Sequence, residues 1–193
     1  MEEQFIEDFM FKKKDFSENA LDKGEYELCT FINCNFSNSN LSQIRFIDCE
    51  FYECNLSTAN IFQTGFQNAL FKECKMLGLQ FEKCSDFAFS IKVDNCQLNH
   101  SSFYKRKLSN TMFKKSKLLK VDFTECDLSS SAFDDCDLQD AIFNHTNLQN
   151  VDFRNSTNFN IDPENNSIKG AKFSLETVVG LLEKYNIKIE RNL

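Results

Sequence analysis

A period of five residues constrains this chain more than any other feature of it. From Leu98 every fifth residue is large and apolar: Leu98, Phe103, Leu108, Phe113, Leu118, Phe123, Leu128, Phe133, Leu138, Phe143, Leu148 and Phe153. The residue two places before each is small in nearly every unit, as in Cys96, Ser101, Ser116, Cys126, Ser131, Cys136, Ala141 and Thr146. Arg106 departs from that rule. Such a period fits neither a helix, at 3.6 residues per turn, nor a strand, at two. It marks a repeat, in which each unit buries its apolar side chains only against its neighbours.

The same period runs upstream from Phe11 through Phe16, Leu21, Tyr26, Phe31, Phe36, Leu41, Phe46, Phe51, Leu56, Ile61, Phe66, Phe71, Met76 and Phe81. Between Phe81 and Val93 the register slips by two residues, which places a bulge or short loop within Ser85–Ser90 in the 82–92 stretch. After Asn158 the pattern fades through Asp162-Pro163-Glu164-Asn165-Asn166, a turn by composition near 160–166, and returns at Ile168 and Phe173. Residues 1–10 read as an N-terminal cap, 11–173 as the repeat and 174–193 as a C-terminal element. Ser174 is placed to cap a helix, with Glu176 in its first turn. Leu175, Val178, Val179, Leu182 and Tyr185 would share one apolar face of that helix, ending near Asn186. Ile187 and Ile189 then suggest a short terminal strand. A stacked repeat needs its last coil covered, and the helix would cover it.

Two inward residues per five suggest a coil of four sides and 20 residues, so that residues 20 apart sit one above the other at about 4.8 Å. Charges support that number. Lys105, Lys107, Lys114, Lys115, Lys117 and Lys120 are followed 20 residues on by Glu125, Asp127, Asp134, Asp135, Asp137 and Asp140. Apolar residues stack in the same way, with Phe11, Phe31, Phe51 and Phe71 in one block and Phe113, Phe133, Phe153 and Phe173 in the next. Phe103, Phe123, Phe143, Leu118, Leu128 and Leu138 complete the expected shaft. Each buried Phe or Leu contributes roughly 1.5–3 kcal/mol before entropy is subtracted.

Units such as Thr146-Asn147-Leu148-Gln149-Asn150 and the Ala141-Ile142-Phe143 triplet resemble the pentapeptide-repeat family, over about residues 11–173. The resemblance implies an all-β solenoid, a right-handed quadrilateral parallel β-helix, with a short C-terminal capping and dimerisation helix. Some members of that family, the quinolone-resistance type among them, bind type II topoisomerases (DNA gyrase and topoisomerase IV) as acidic rods imitating duplex DNA. That resemblance implies a topoisomerase partner and a homodimer formed through the C-terminal element.

Little in the chain suggests chemistry. The nine cysteines all take the small inward position and read as weakly polar filler, without the clustered spacing of a metal site. His100 and His145 are expected on the surface, too far apart to share a ligand. No nucleophile elbow, zinc-helix motif or phosphate loop is present, so the expectation is a non-enzymatic protein with no cofactor and no metal. Arg106 could bury its stem with its head reaching the surface, but the expectation is that a local distortion turns it outward.

The net charge of −7 argues against direct nucleic-acid binding. No run of 18 apolar residues and no signal-like start occur, so a cytoplasmic protein without membrane attachment is expected. Residues 1–90 carry fifteen acids against eight bases, whereas 91–193 carry fourteen of each. Candidate acidic-surface residues are therefore Glu25, Glu27, Asp48, Glu50, Glu53 and Glu73. The competing reading is a protein-interaction scaffold or toxin-immunity protein, whose flat walls meet a different protein partner.

Overall fold

A computed structural model of the protein describes residues 4–190. The chain winds into a four-walled parallel β-solenoid. The first wall holds β1 (Gln4–Glu7), β3 (Gly24–Glu27), β5 (Arg45–Ile47) and β7 (Gly65–Gln67), hydrogen-bonded in that order. The second holds β2 (Met10–Lys12), β4 (Thr30–Ile32), β6 (Glu50–Tyr52), β8 (Ala69–Lys72), β9 (Ile91–Asp94), β10 (Met112–Lys114) and β11 (Ala132–Asp134), likewise all parallel. Single bridges Ala132–Asp152 and Asp152–Lys172 carry this wall to the end of the rod. The other two walls are ladders of single bridges, such as Asn35–Asn55 and Lys117–Asp137 on one and Asn40–Asn60 and Ser102–Asp122 on the other. Partners are 20 residues apart, as in Phe31 opposite Phe51 and Phe113 opposite Phe133.

Each position of the five-residue unit has its own physical task. The large residue fills the shaft. The residue before it is often Asn or Asp, whose side-chain oxygen accepts from the backbone N–H two residues on, as Asn35 does from Ser37 and Asp127 from Ser129. The residue two after it turns the corner in the left-handed region, as at Asn33, Asn38, Asp48, Asn110 and Asn150. On the bridge walls that corner closes a four-residue turn, with Ser39 N–H donating to Phe36 C=O at 3.1 Å and Val121 N–H to Leu118 C=O at 3.2 Å.

Ring stacks run up the shaft. Phe11, Phe31, Phe51 and Phe71 stack at 4.8–4.9 Å, and Phe113, Phe133, Phe153 and Phe173 at 5.0–5.4 Å, with Val93 between the two blocks. A second stack changes walls. Tyr26, Phe46 and Phe66 occupy the first wall below the slip, where Leu108, Leu128 and Leu148 follow above it. On the fourth wall Leu21, Leu41 and Ile61 give way to Phe81, Phe103, Phe123 and Phe143.

The slip is a two-residue insertion within one coil. Lys75 bridges Gln97 and Gln80 bridges Ser102, after which Gln97–Lys117 restores the spacing of 20. The extra length emerges at Ser85–Ser90, and Arg106 points inward beneath it, only 4% exposed. This corrects the expected outward turn. The loop leaves the carbonyls of Cys84 and Ser85 without ladder partners, and a small residue would leave a void. The Arg106 guanidinium supplies both donors, at 3.2 and 2.9 Å, reaches Asp86 Oδ1 at 2.5 Å and lies 4.0 Å from the Phe89 ring centroid.

Both ends depart from the sequence reading. The solenoid starts before Phe11, since β1 already pairs with β3; Met1–Glu3 of the expected cap lie outside the described residues. At the far end the expected α-helix over 174–186 is replaced by two short 3-10 turns, Val178–Leu181 and Glu183–Tyr185. Ser174 does accept from Thr177 N–H through its hydroxyl, at 3.3 Å. However, Thr177, Val178, Val179 and Gly180 are poor helix formers, and the left-handed Asn186 stops the segment. Gly180 lies so close to Phe159 that a Cβ there would meet its carbonyl and ring, and Ile161 N–H donates to Gly180 C=O at 3.0 Å. The last coil thus takes its covering from an irregular strap. Residues 187–190 form no strand.

Candidate functional site

The shaft offers no chemistry to solvent, so function must lie on the walls and ends. Phe31, Phe51, Phe71, Phe103, Phe113, Phe123, Phe133, Phe143, Phe153, Leu118, Leu128 and Leu138 are all buried. The nine thiols are buried as well. Their role is more specific than filler. Cys54, Cys74 and Cys96 place Sγ 3.3–3.4 Å from the carbonyls of Phe31, Phe51 and Phe71 in the preceding coil. Burial pushes the Cys49, Cys84, Cys126 and Cys136 thiols up to about 12, so they stay protonated and unreactive at neutral pH.

The six acidic-surface candidates fall on the first two walls and their corners. Glu25 and Glu27 lie in β3, Glu50 in β6, Asp48 at the corner after Phe46, Glu53 after Phe51 and Glu73 after Phe71. Three of them are engaged within the rod, Asp48 by accepting from Asn68 Nδ2 at 2.6 Å. Glu25 pairs with Arg45 at 2.6 Å, and Glu50 accepts from the Tyr52 hydroxyl at 2.9 Å. Further along, the lysines at 105–120 encircle one coil, and Glu125, Asp127, Asp134, Asp135, Asp137 and Asp140 encircle the next. Of these six stacked pairs, Lys105–Glu125 closes to 3.3 Å among the described residues. The others remain in register as ladders, for example Lys107 with Asp127 and Lys114 with Asp134. His100 and His145 are exposed corner residues with φ of 61° and 53°.

No α-helix aligns the five dimer candidates, which lie on two 3-10 turns and the residues beside them. Leu175 is 88% exposed, Val179 and Tyr185 are exposed, and Val178 and Leu182 are half-buried. Ile187 and Ile189 are exposed beside them. The strap is pinned to the last coil by Lys184, which bridges Asp162 at 2.6 Å and Glu164 at 2.7 Å. Lys184 holds both carboxyl groups below their ordinary pKa values, helped at Glu164 by the Tyr185 hydroxyl. Among the described residues no helix is long and apolar enough to cross a membrane.

No curated protein sequence matches the chain. Solved structures do. Trypsin-treated QnrB1, a plasmid-mediated fluoroquinolone resistance protein, superposes with a TM-score of 0.71 over 97% of this chain and 92% of its own, at 20% identity. A second trypsin-treated variant of QnrB1 gives a TM-score of 0.58 over 97% of this chain and 100% of its own, at 19% identity. At such identities the likeness establishes the fold alone. The family model described as a pentapeptide repeat region matches residues 25–103 and 89–162. Together with the 20-residue register and the five-position unit, this establishes that the chain belongs to the pentapeptide-repeat family.

Proposed function

We propose that the protein is a non-enzymatic rod that binds a type II topoisomerase, DNA gyrase or topoisomerase IV, and protects it from quinolone-type inhibitors. The observation that carries this reading is the likeness to trypsin-treated QnrB1 over 97% of this chain, combined with an acidic first half. Duplex DNA presents one negative charge per about 1.7 Å of its axis, and an acidic rod of comparable width competes for the same basic groove. Glu27, Asp48, Glu53 and Glu73, on adjoining walls and corners, are the residues assigned to that contact. The exposed apolar strap around Leu175, Val179 and Tyr185 is assigned to a homodimer joined end to end, which doubles the length of the rod.

Quinolone-inhibited supercoiling by purified gyrase tests the proposal. Adding the protein in low salt restores supercoiling, and the effect weakens as salt rises. Absence of any rescue at micromolar protein in low salt would refute it. One feature favours the second reading, a scaffold or immunity protein with a different partner. Residues 91–193 are electrically balanced, and their lysine ring does not imitate a phosphate backbone.

A further inference from the structure

The inserted loop at Ser85–Ser90 forms one side of a groove that continues onto the corner between the first two walls. Phe89, Ile91, Lys92, Lys107, Asn110 and Met112 line it. Phe87, in the same inserted loop, is 75% exposed, and Met112 in the lining is 51% exposed. Lys92 and Lys107, both exposed, are the two cations of the lining. Asp127, stacked on Lys107, accepts from Asn147 Nδ2 at 2.9 Å and from Ser129 N–H at 3.1 Å. Asp94, on the same strand as Lys92, sits in register with Lys114. Lys92 itself lies against Leu70 in the coil below. Neither Lys92 nor Lys107 has an ion-pair partner within 4.0 Å among the described residues.

The loop wall is held in place. Besides the Arg106 clamp, Ser85 N–H donates to Thr64 C=O at 3.0 Å and Ser90 N–H to Phe66 C=O at 2.9 Å. A partner meeting this groove therefore finds it formed and does not bear the entropy of ordering a loop.

We infer that this groove is a docking site for an extended acidic peptide segment of a partner protein, its carboxylates on Lys92 and Lys107 and its apolar side chains against Phe87 and Met112. Two exposed cations beside exposed apolar groups select that occupant over a basic or nucleic-acid one. The inference is independent of topoisomerase binding, which is assigned to acidic residues on the first half of the rod.

Fluorescence anisotropy with the full-length protein tests it, using a short labelled peptide alternating Glu with Leu and a control alternating Lys with Leu. The Glu-Leu peptide binds, more weakly as salt rises, and the control does not. The K92Q/K107Q double variant, altered only at exposed positions, loses at least about tenfold in affinity, and Phe87→Ser also weakens binding. Equal binding of the two peptides, or undiminished affinity in the double variant with an unchanged circular dichroism spectrum, would overturn the inference. So would displacement of the bound peptide by an equimolar single-stranded oligonucleotide.

Discussion

Thr64, Ser131, Thr146 and Ser156 donate their hydroxyls to the carbonyls of Leu41, Leu108, Phe123 and Phe133, each in the preceding coil. Cys54, Cys74 and Cys96 aim thiols at the same kind of carbonyl, and Asn166 does so with its amide. The small inward residue thus fits a narrow space and also supplies a buried acceptor with a donor. Cys54→Ser, which keeps the donor and has Ser116 and Ser156 as precedents in its column, is expected to change stability by less than about 1 kcal/mol. Cys54→Val removes the donor and costs about 1–3 kcal/mol, measured by urea unfolding. A Val variant as stable as wild type would mean that size alone matters there. The spacing displayed which residues point inward, but not this donor role. Ala and Val occupy the same position elsewhere, and the acceptor lies 23 residues back along the chain. The inward position of Arg106 is hidden in the sequence for a related reason, since the carbonyls it satisfies lack ladder donors only because the loop is inserted. Arg106→Met leaves them buried without donors and should cost about 3 kcal/mol in the same measurement.

At the scale of elements, the slip and the strap are the two places where the repeat is interrupted, and both are held by a cation. Lys184 pins the strap to Asp162 and Glu164, whose pKa values in the fold lie below the ordinary 3.8 and 4.5. A carboxyl group with a lowered folded pKa stabilises above its unfolded value and loses that contribution as pH falls through the folded one. The strap should therefore be tight at neutral pH and loosen as pH drops below about 4, while the coils keep their order. Methyl NMR shifts of Val178 and Val179 followed against pH would show the transition, and Lys184→Met would abolish it. An identical titration in that variant would remove the clamp from the account. The sequence suggested a helix here because apolar spacing and an N-cap were both present. What overrules them is the close approach of Gly180 to Phe159, a contact that forms only once the last coil exists.

For the whole molecule, the number of residues per coil decides everything else. Seven strands of the second wall and the two bridges beyond them, each rising about 4.8 Å, give a rod near 40 Å long. That shape was legible because the shaft demands large side chains at fixed intervals and the two-residue slip shifts every later one. Function was less legible, because wall residues are bound by no such demand. If the exposed strap joins two rods, Leu175→Arg should halve the mass measured by light scattering at micromolar concentration; an unchanged mass removes Leu175 from the interface. The claim beneath all of this is that residues 20 apart are vertical neighbours. Its most direct test is a nuclear Overhauser spectrum of the folded protein. Amide-to-α-proton cross-peaks should link Met112–Lys114 to Ala132–Asp134 in register. Their absence, or an offset of one residue, would contradict the coil and with it every wall described above.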